Sequence, residues 1–145
     1  MDKINAVLVA FSATSIRKKL AKAALDLAEE NDAKLIILSV RDRNVAQMVA
    51  KVTKDHGFLG KDFVEKLAED IKKDRDELIT SRLGMIENEA EKRGIEFETV
   101  KMKGHFVESV ADIAEIHKVD LVVTENVDNI AMKLKRKGIS NIRII

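Results

Sequence analysis

Two runs of the chain are apolar almost without interruption. INAVLVAF (Ile4 to Phe11) and KLIILSV (Lys34 to Val40) are rich in β-branched residues and too short for helices, so each predicts a strand covered on both faces. Between them, Ile16, Leu20, Ala24 and Leu27 recur on one helical stripe, while Arg17, Lys18, Lys22 and Glu29 take the other side. Ser12 or Thr14 is the expected amino cap of that helix. Strand, helix and strand form a βαβ unit, and the right-handed crossover rule makes the two strands parallel.

The pattern breaks from Arg41 to about Gly60, with a short helical piece near Val45 to Val52 and then the loop HGFLG, hinged at Gly57 and Gly60. A long helix is predicted from about Lys61 to Arg93, with Phe63, Leu67, Ile71, Leu78, Leu83 and Ile86 in phase. Gly84 is the expected place for a kink and Gly94 for its end. IEFETVKM (Ile95 to Met102) alternates apolar with charged residues, which suits an edge strand. Gly104 turns the chain into a helix striped by Val107, Val110, Ala111 and Ala114. DLVVT is a buried strand, Val127, Ile130, Ala131 and Leu134 stripe a last helix closed by KRKG, and NIRII ends the chain as an amphipathic edge strand.

Five strands alternating with four helical segments predict an α/β fold: a three-layer, open, parallel five-stranded sheet with helices on both faces. The continuous apolar strands belong in the middle and the alternating ones at the edges. Order 3-2-1-4-5 satisfies both demands. Ligands of such sheets bind at the switch point, here between the carboxyl ends of strands one and four. At 145 residues the chain is expected to form a single domain, 1–145.

Composition narrows the partners. A net charge of +1 supplies no field for nucleic acid or an anionic membrane, and the absence of Trp and Tyr leaves little surface for stacking bases. No stretch reaches the ~18 apolar residues of a membrane span, and the amino-terminal run has the wrong flanks for a signal peptide. The chain has no cysteine, which removes disulfides, thiolate catalysis and cysteine-ligated zinc. A cytoplasmic protein with neither nucleic-acid nor membrane partners is the expectation. His56, His105 and His117 lack metal-ligand spacing, so no metal is expected, and no acid pair follows the first strand as a phosphoacceptor receiver would need.

VLVAFSATSIRKKLAKAALDLAEENDAKLIILSV and GIEFETVKMKGHFVESVADIAEIHKVDLVV together resemble the universal stress protein family, with KxGxxxxSVxxIAxxxxxDLVV the most specific part. The resemblance covers nearly the whole chain and implies an adenine-nucleotide alpha-hydrolase-like sheet. It further implies small cytoplasmic proteins that commonly dimerise through the last strand, in an ATP-binding group and a non-binding group. In the binding group an acid ends strand one, and a glycine motif follows strand four: Gly, two residues, Gly, nine residues, then Gly with Ser or Thr. Glycines there let backbone N–H groups approach phosphate.

Matching VAFS onto that pattern puts Ala10 in the acid's place, and counting from Thr124 puts Glu125 and Asp128 at the first two glycines and Gly138 at the third. In the alternative alignment the glycine loop is deleted and Gly138 simply closes the last helix. Either way acids stand where phosphate would lie, so the chain resembles the group that lacks the motif. The expected function is a non-enzymatic stress-response module without a cofactor, forming a homodimer through Asn141 to Ile145 and binding protein partners. The alternative is an ATP or AMP binder with a degenerate cleft of Ser12, Val40, Gly104, Thr124 and Asn126. Thr124 and Asn126 are also expected caps for the last helix, and MKLKRKG is a basic helix end expected to be a solvated face.

Overall fold

The computed structural model describes residues 3–12, 16–41, 61–126 and 129–145, with Lys73 the one side chain described within 61–75. Thr14, the Val45 to Val52 piece, the HGFLG loop, His56, Val127 and Asp128 lie outside the described residues, as do the side chains of Phe63, Leu67 and Ile71. The described elements run β1 (Ala6–Ser12), α1 (Lys18–Glu30), β2 (Lys34–Arg41), α2 (Lys61–Lys92), β3 (Phe97–Lys103), α3 (Phe106–Ile116), β4 (Leu121–Thr124), α4 (Ile130–Arg136) and β5 (Ile142–Ile144). The sheet has five strands in the order β3-β2-β1-β4-β5. Every pairing is parallel.

Strand alternation divides the core in two. Val7, Val9, Phe11, Leu35, Ile37, Leu121 and Val123 point to one face and pack under α1 and α2. Leu8, Ala10, Ile36, Leu38, Val40 and Val122 point to the other and pack under α3 and α4. Burial on both faces is why β1 and β2 carry no alternation, whereas edge strand β3 keeps it.

The α2 stripe departs from expectation by one residue. Ile79, Leu83, Ile86 and Ala90 are buried, whereas Leu78 is 43% exposed. Spacings of four, three and four residues keep a side chain on one helical face, and Leu78 falls just off that line.

The helix exits are tied at the amino edge of the sheet. Asn31 Nδ2 donates to Leu27 O at 2.7 Å behind α1, and Gly94, with φ 70°, follows α2 in the left-handed conformation glycine adopts without penalty. Asp32 and Lys118 occupy the same region after α1 and α3 without being glycine, so the sequence offered no signal for those turns. Arg93, just past α2, donates to Asp26 Oδ1 of α1 at 2.7 Å and to Glu89 Oε1 at 3.1 Å. These two hydrogen bonds hold the Arg93 pKa above the ordinary arginine value.

Asp120 closes the same edge between strands. Its Oδ2 accepts from the backbone N–H of Asn5 at 2.8 Å and of Ala6 at 3.0 Å, while Asn141 Nδ2 donates to the Asp120 carbonyl at 2.9 Å. One side chain thereby joins the starts of β1 and β4, and its backbone reaches the approach to β5.

Candidate functional site

The switch point lies where β1 and β4 end side by side. Their register runs from Val7 against Leu121 to Val9 against Val123, so β1 outruns β4 and ends on Ser12, opposite Val40 of β2. Ser12 is therefore the last residue of a strand and not a cap. Arg17 occupies the N-cap of α1, in extended conformation and without a side-chain cap hydrogen bond.

The proposed cleft residues divide into committed and free. Val40 is 2% exposed and packs beneath α3 and α4, leaving backbone as what it can offer a ligand. Thr124 is fully buried and its hydroxyl donates to the Glu125 carbonyl at 3.2 Å. Gly104, with φ 138°, joins β3 to α3, and its N–H donates to Arg41 O at 3.0 Å. Asn126 is exposed. Neither Thr124 nor Asn126 caps α4, because Asn129 takes the N-cap position, in left-handed conformation with no side-chain cap hydrogen bond. Ser12 and Val40 are brought together as register partners, whereas Gly104 stands beyond β2 at the end of edge strand β3.

The junction also carries an ion pair that joins the α1 N-cap to the β4 exit. Glu125 Oε1 is buried and lies 3.4 Å from Arg17 Nε, an ion-pair distance without hydrogen-bond geometry. Arg17 stands on the solvent side of the α1 start, as its place off the apolar stripe predicts, with its side chain 72% exposed. A cation where a helix dipole favours acids was the available signal, since it needs a carboxylate to compensate. The pair is neutral in sum, so an incoming phosphate finds a carboxylate oxygen and no net positive potential.

Gly138 follows the last helix. Its N–H donates to Lys135 O at 3.1 Å and the N–H of Ile139 to Leu134 O at 3.0 Å, with Gly138 at φ 92°, so this glycine terminates α4. It lines a cavity of about 700 Å³ with Lys3, Ile4, Asp120 and Asn141, residues at the amino ends of the strands. That is the opposite end of the sheet from the switch point, and a glycine there cannot cradle phosphate at the β4 exit. Ala10, which the match of VAFS puts in the place of the family's acid, is 1% exposed inside the α3 and α4 core, two residues short of Ser12, where β1 ends.

His105 is the exposed N-cap of α3, and His117 Nδ1 lies 3.7 Å from Glu98 Oε2. Among the described residues no group of three His, Cys, Asp or Glu side chains is placed to hold a metal ion, and no helix is long and apolar enough to cross a membrane.

Residues 3–133 match the model of the Universal stress protein family. Similar solved structures include a protein from that family from Burkholderia pseudomallei, at 17% identity and TM-score 0.67, covering 100% of this chain and 98% of that one. The universal stress protein UspA from Lactobacillus plantarum gives 13% identity and TM-score 0.66, with 100% and 99% covered. The universal stress protein from Archaeoglobus fulgidus, solved in complex with dAMP, gives 15% identity and TM-score 0.60, with 99% of each chain covered. At these identities the structures establish the fold. No curated protein sequence is similar enough to match.

Proposed function

This chain belongs to the universal stress protein family, and from that membership we propose a non-enzymatic, cytoplasmic stress-response module that has given up the nucleotide phosphate site and acts by binding other proteins. The observation that carries this reading is the β4 exit: an Arg17–Glu125 pair stands at the junction, no glycine occurs between Thr124 and Lys137, and Gly138 closes α4 at the far end of the sheet. Without glycine the amide cradle for phosphate is lost, and with no acid at the end of β1, where Ala10, Phe11 and Ser12 stand, so is the partner for a nucleoside donor group. The test is isothermal titration of ATP and of AMP, each with magnesium, into protein freed of host nucleotide. No heat and no thermal shift at millimolar ligand is the expected result, and micromolar binding overturns it.

The module is a homodimer through Asn141 to Ile145. The observation behind this part is β5, an edge strand on which Ile144 is 40% and Ile145 37% exposed. An apolar edge with unpaired backbone groups is stabilised by a second copy and otherwise invites uncontrolled pairing. Ile144→Glu is expected to halve the particle mass in light scattering; an unchanged mass removes this interface.

A second reading has a specific observation in its favour. The Archaeoglobus fulgidus relative was solved with dAMP and an Arabidopsis thaliana relative with AMP, both ligands carrying a single phosphate. A monophosphate demands less of the missing cradle, and Ser12, the Val40 backbone, Gly104 and Asn126 would remain to hold it. Binding of AMP without binding of ATP in the same titration selects this reading.

A further inference from the structure

The basic end of α4 has no role in the switch point. Lys133, Arg136 and Lys137 are spaced i, i+3 and i+4, so they share one side of the helix, while Lys135 turns away from it. All three side chains are exposed. Their side of the helix faces the first turn of α3 across a groove of about 490 Å³, lined by His105, Phe106, Val107, Glu108, Lys133, Arg136 and Lys137.

We propose that this groove between α3 and α4 binds a small molecule bearing a phosphate or polyphosphate group, at a site separate from the switch point. The three cations make no ion pair with any described residue, and Glu108 is the one carboxylate in the groove wall. Convergent, unneutralised cations in a concavity favour an anion that can accept from several at once, and Arg136 adds a planar fork matched to phosphate oxygens. His105 caps no N–H of α3, so the first-turn amides add donors on the opposite wall. Phe106 and Val107 are half-buried against the core and give the groove an apolar floor, suited to an organic portion of the ligand. The size is that of a small ligand. A nucleic-acid duplex is disfavoured, because the whole chain carries only +1 and these cations form a spot, not a track. This assignment does not depend on how the switch point is read.

The experiment is a titration of the full, isotope-labelled chain with sodium tripolyphosphate, followed by amide chemical shifts, with mixed-sequence duplex DNA as a second probe. Saturable shifts confined to residues 105–109 and 133–138 are expected. Lys133→Glu and Arg136→Glu are each expected to weaken binding by about tenfold or more, the usual weight of a hydrogen bond to a charged group. Glu108→Gln is expected to strengthen it, and Lys19→Glu on α1 to leave it unchanged; all four side chains are exposed, and the same spectra report folding. The proposal is overturned by absence of shifts at millimolar probe, by shifts that ignore both charge reversals, or by binding of DNA without tripolyphosphate. Shifts centred on Ser12 and residues 124–126 overturn it too, and count separately against the lost phosphate site.

Discussion

The two ends of the sheet are built differently. At the amino edge, where helices finish, Asn31, Asp120, Asn141 and Arg93 close backbone groups and charges with named hydrogen bonds. At the carboxyl edge, where helices begin, Arg17, His105 and Asn129 occupy the N-caps of α1, α3 and α4 and none of them makes a side-chain cap hydrogen bond. Uncapped helix starts leave N–H donors available and forgo roughly 1 kcal/mol each of capping stabilisation. One edge is closed by side chains, and the other leaves the helix-start N–H groups of α1, α3 and α4 without side-chain caps.

Substitutions can break this contrast. The largest effect is expected from Ala10→Asp, which sets an acid where the match of VAFS onto the family pattern put it. Ala10 is core, so an uncompensated carboxylate at this 1% exposed position costs on the order of 3–5 kcal/mol. Urea unfolding measures this, and a stable variant that gains ATP affinity would instead make the position part of an open site. Asp120→Ala follows at about 1–3 kcal/mol, because the N–H groups of Asn5 and Ala6 lose their acceptor. Asp120→Asn should recover part of it in the same unfolding experiment, since an amide oxygen still accepts.

Arg93→Ala is expected to cost about 1 kcal/mol or less, the scale of a partly exposed ion-pair network. The Arg93 pKa is raised by pairing, so its contribution is fully present below the ordinary arginine value and lost only as pH climbs through the higher folded value. The difference between wild type and Arg93→Ala should therefore show no loss of the arginine's charge between neutral and mildly alkaline pH. The smallest effect belongs to the carboxyl edge: Glu125→Gln is expected to change stability by under about 1 kcal/mol, because Arg17 is 72% exposed. It should also leave ATP titration silent, since removing the charge does not rebuild the glycine cradle. Recovery of ATP binding would mean that repulsion alone had closed the site.

The candidate site was legible in part. Its position followed from strand order, and the missing glycines were plain in TENVDNIAMKLKRK. The roles of individual residues were not. Ser12 and Thr124 look like caps in a linear pattern, yet one ends a strand and the other is wholly buried. Arg17 reads as a solvated residue and is one, but its partner Glu125 stands over a hundred positions along the chain and only the fold brings the two together.

Hydrophobic periodicity is a local property, so the chain written out as letters was enough to specify the parallel sheet, its order, its two edge strands and its family. Partnerships across the sheet are not local. The Asp120 clasp, the Arg17–Glu125 pair, the place of Gly138 at the amino edge and the groove joining α3 to α4 each depend on residues distant in sequence. Strand register and helix orientation bring those residues together, and no periodicity encodes which charged group will meet which.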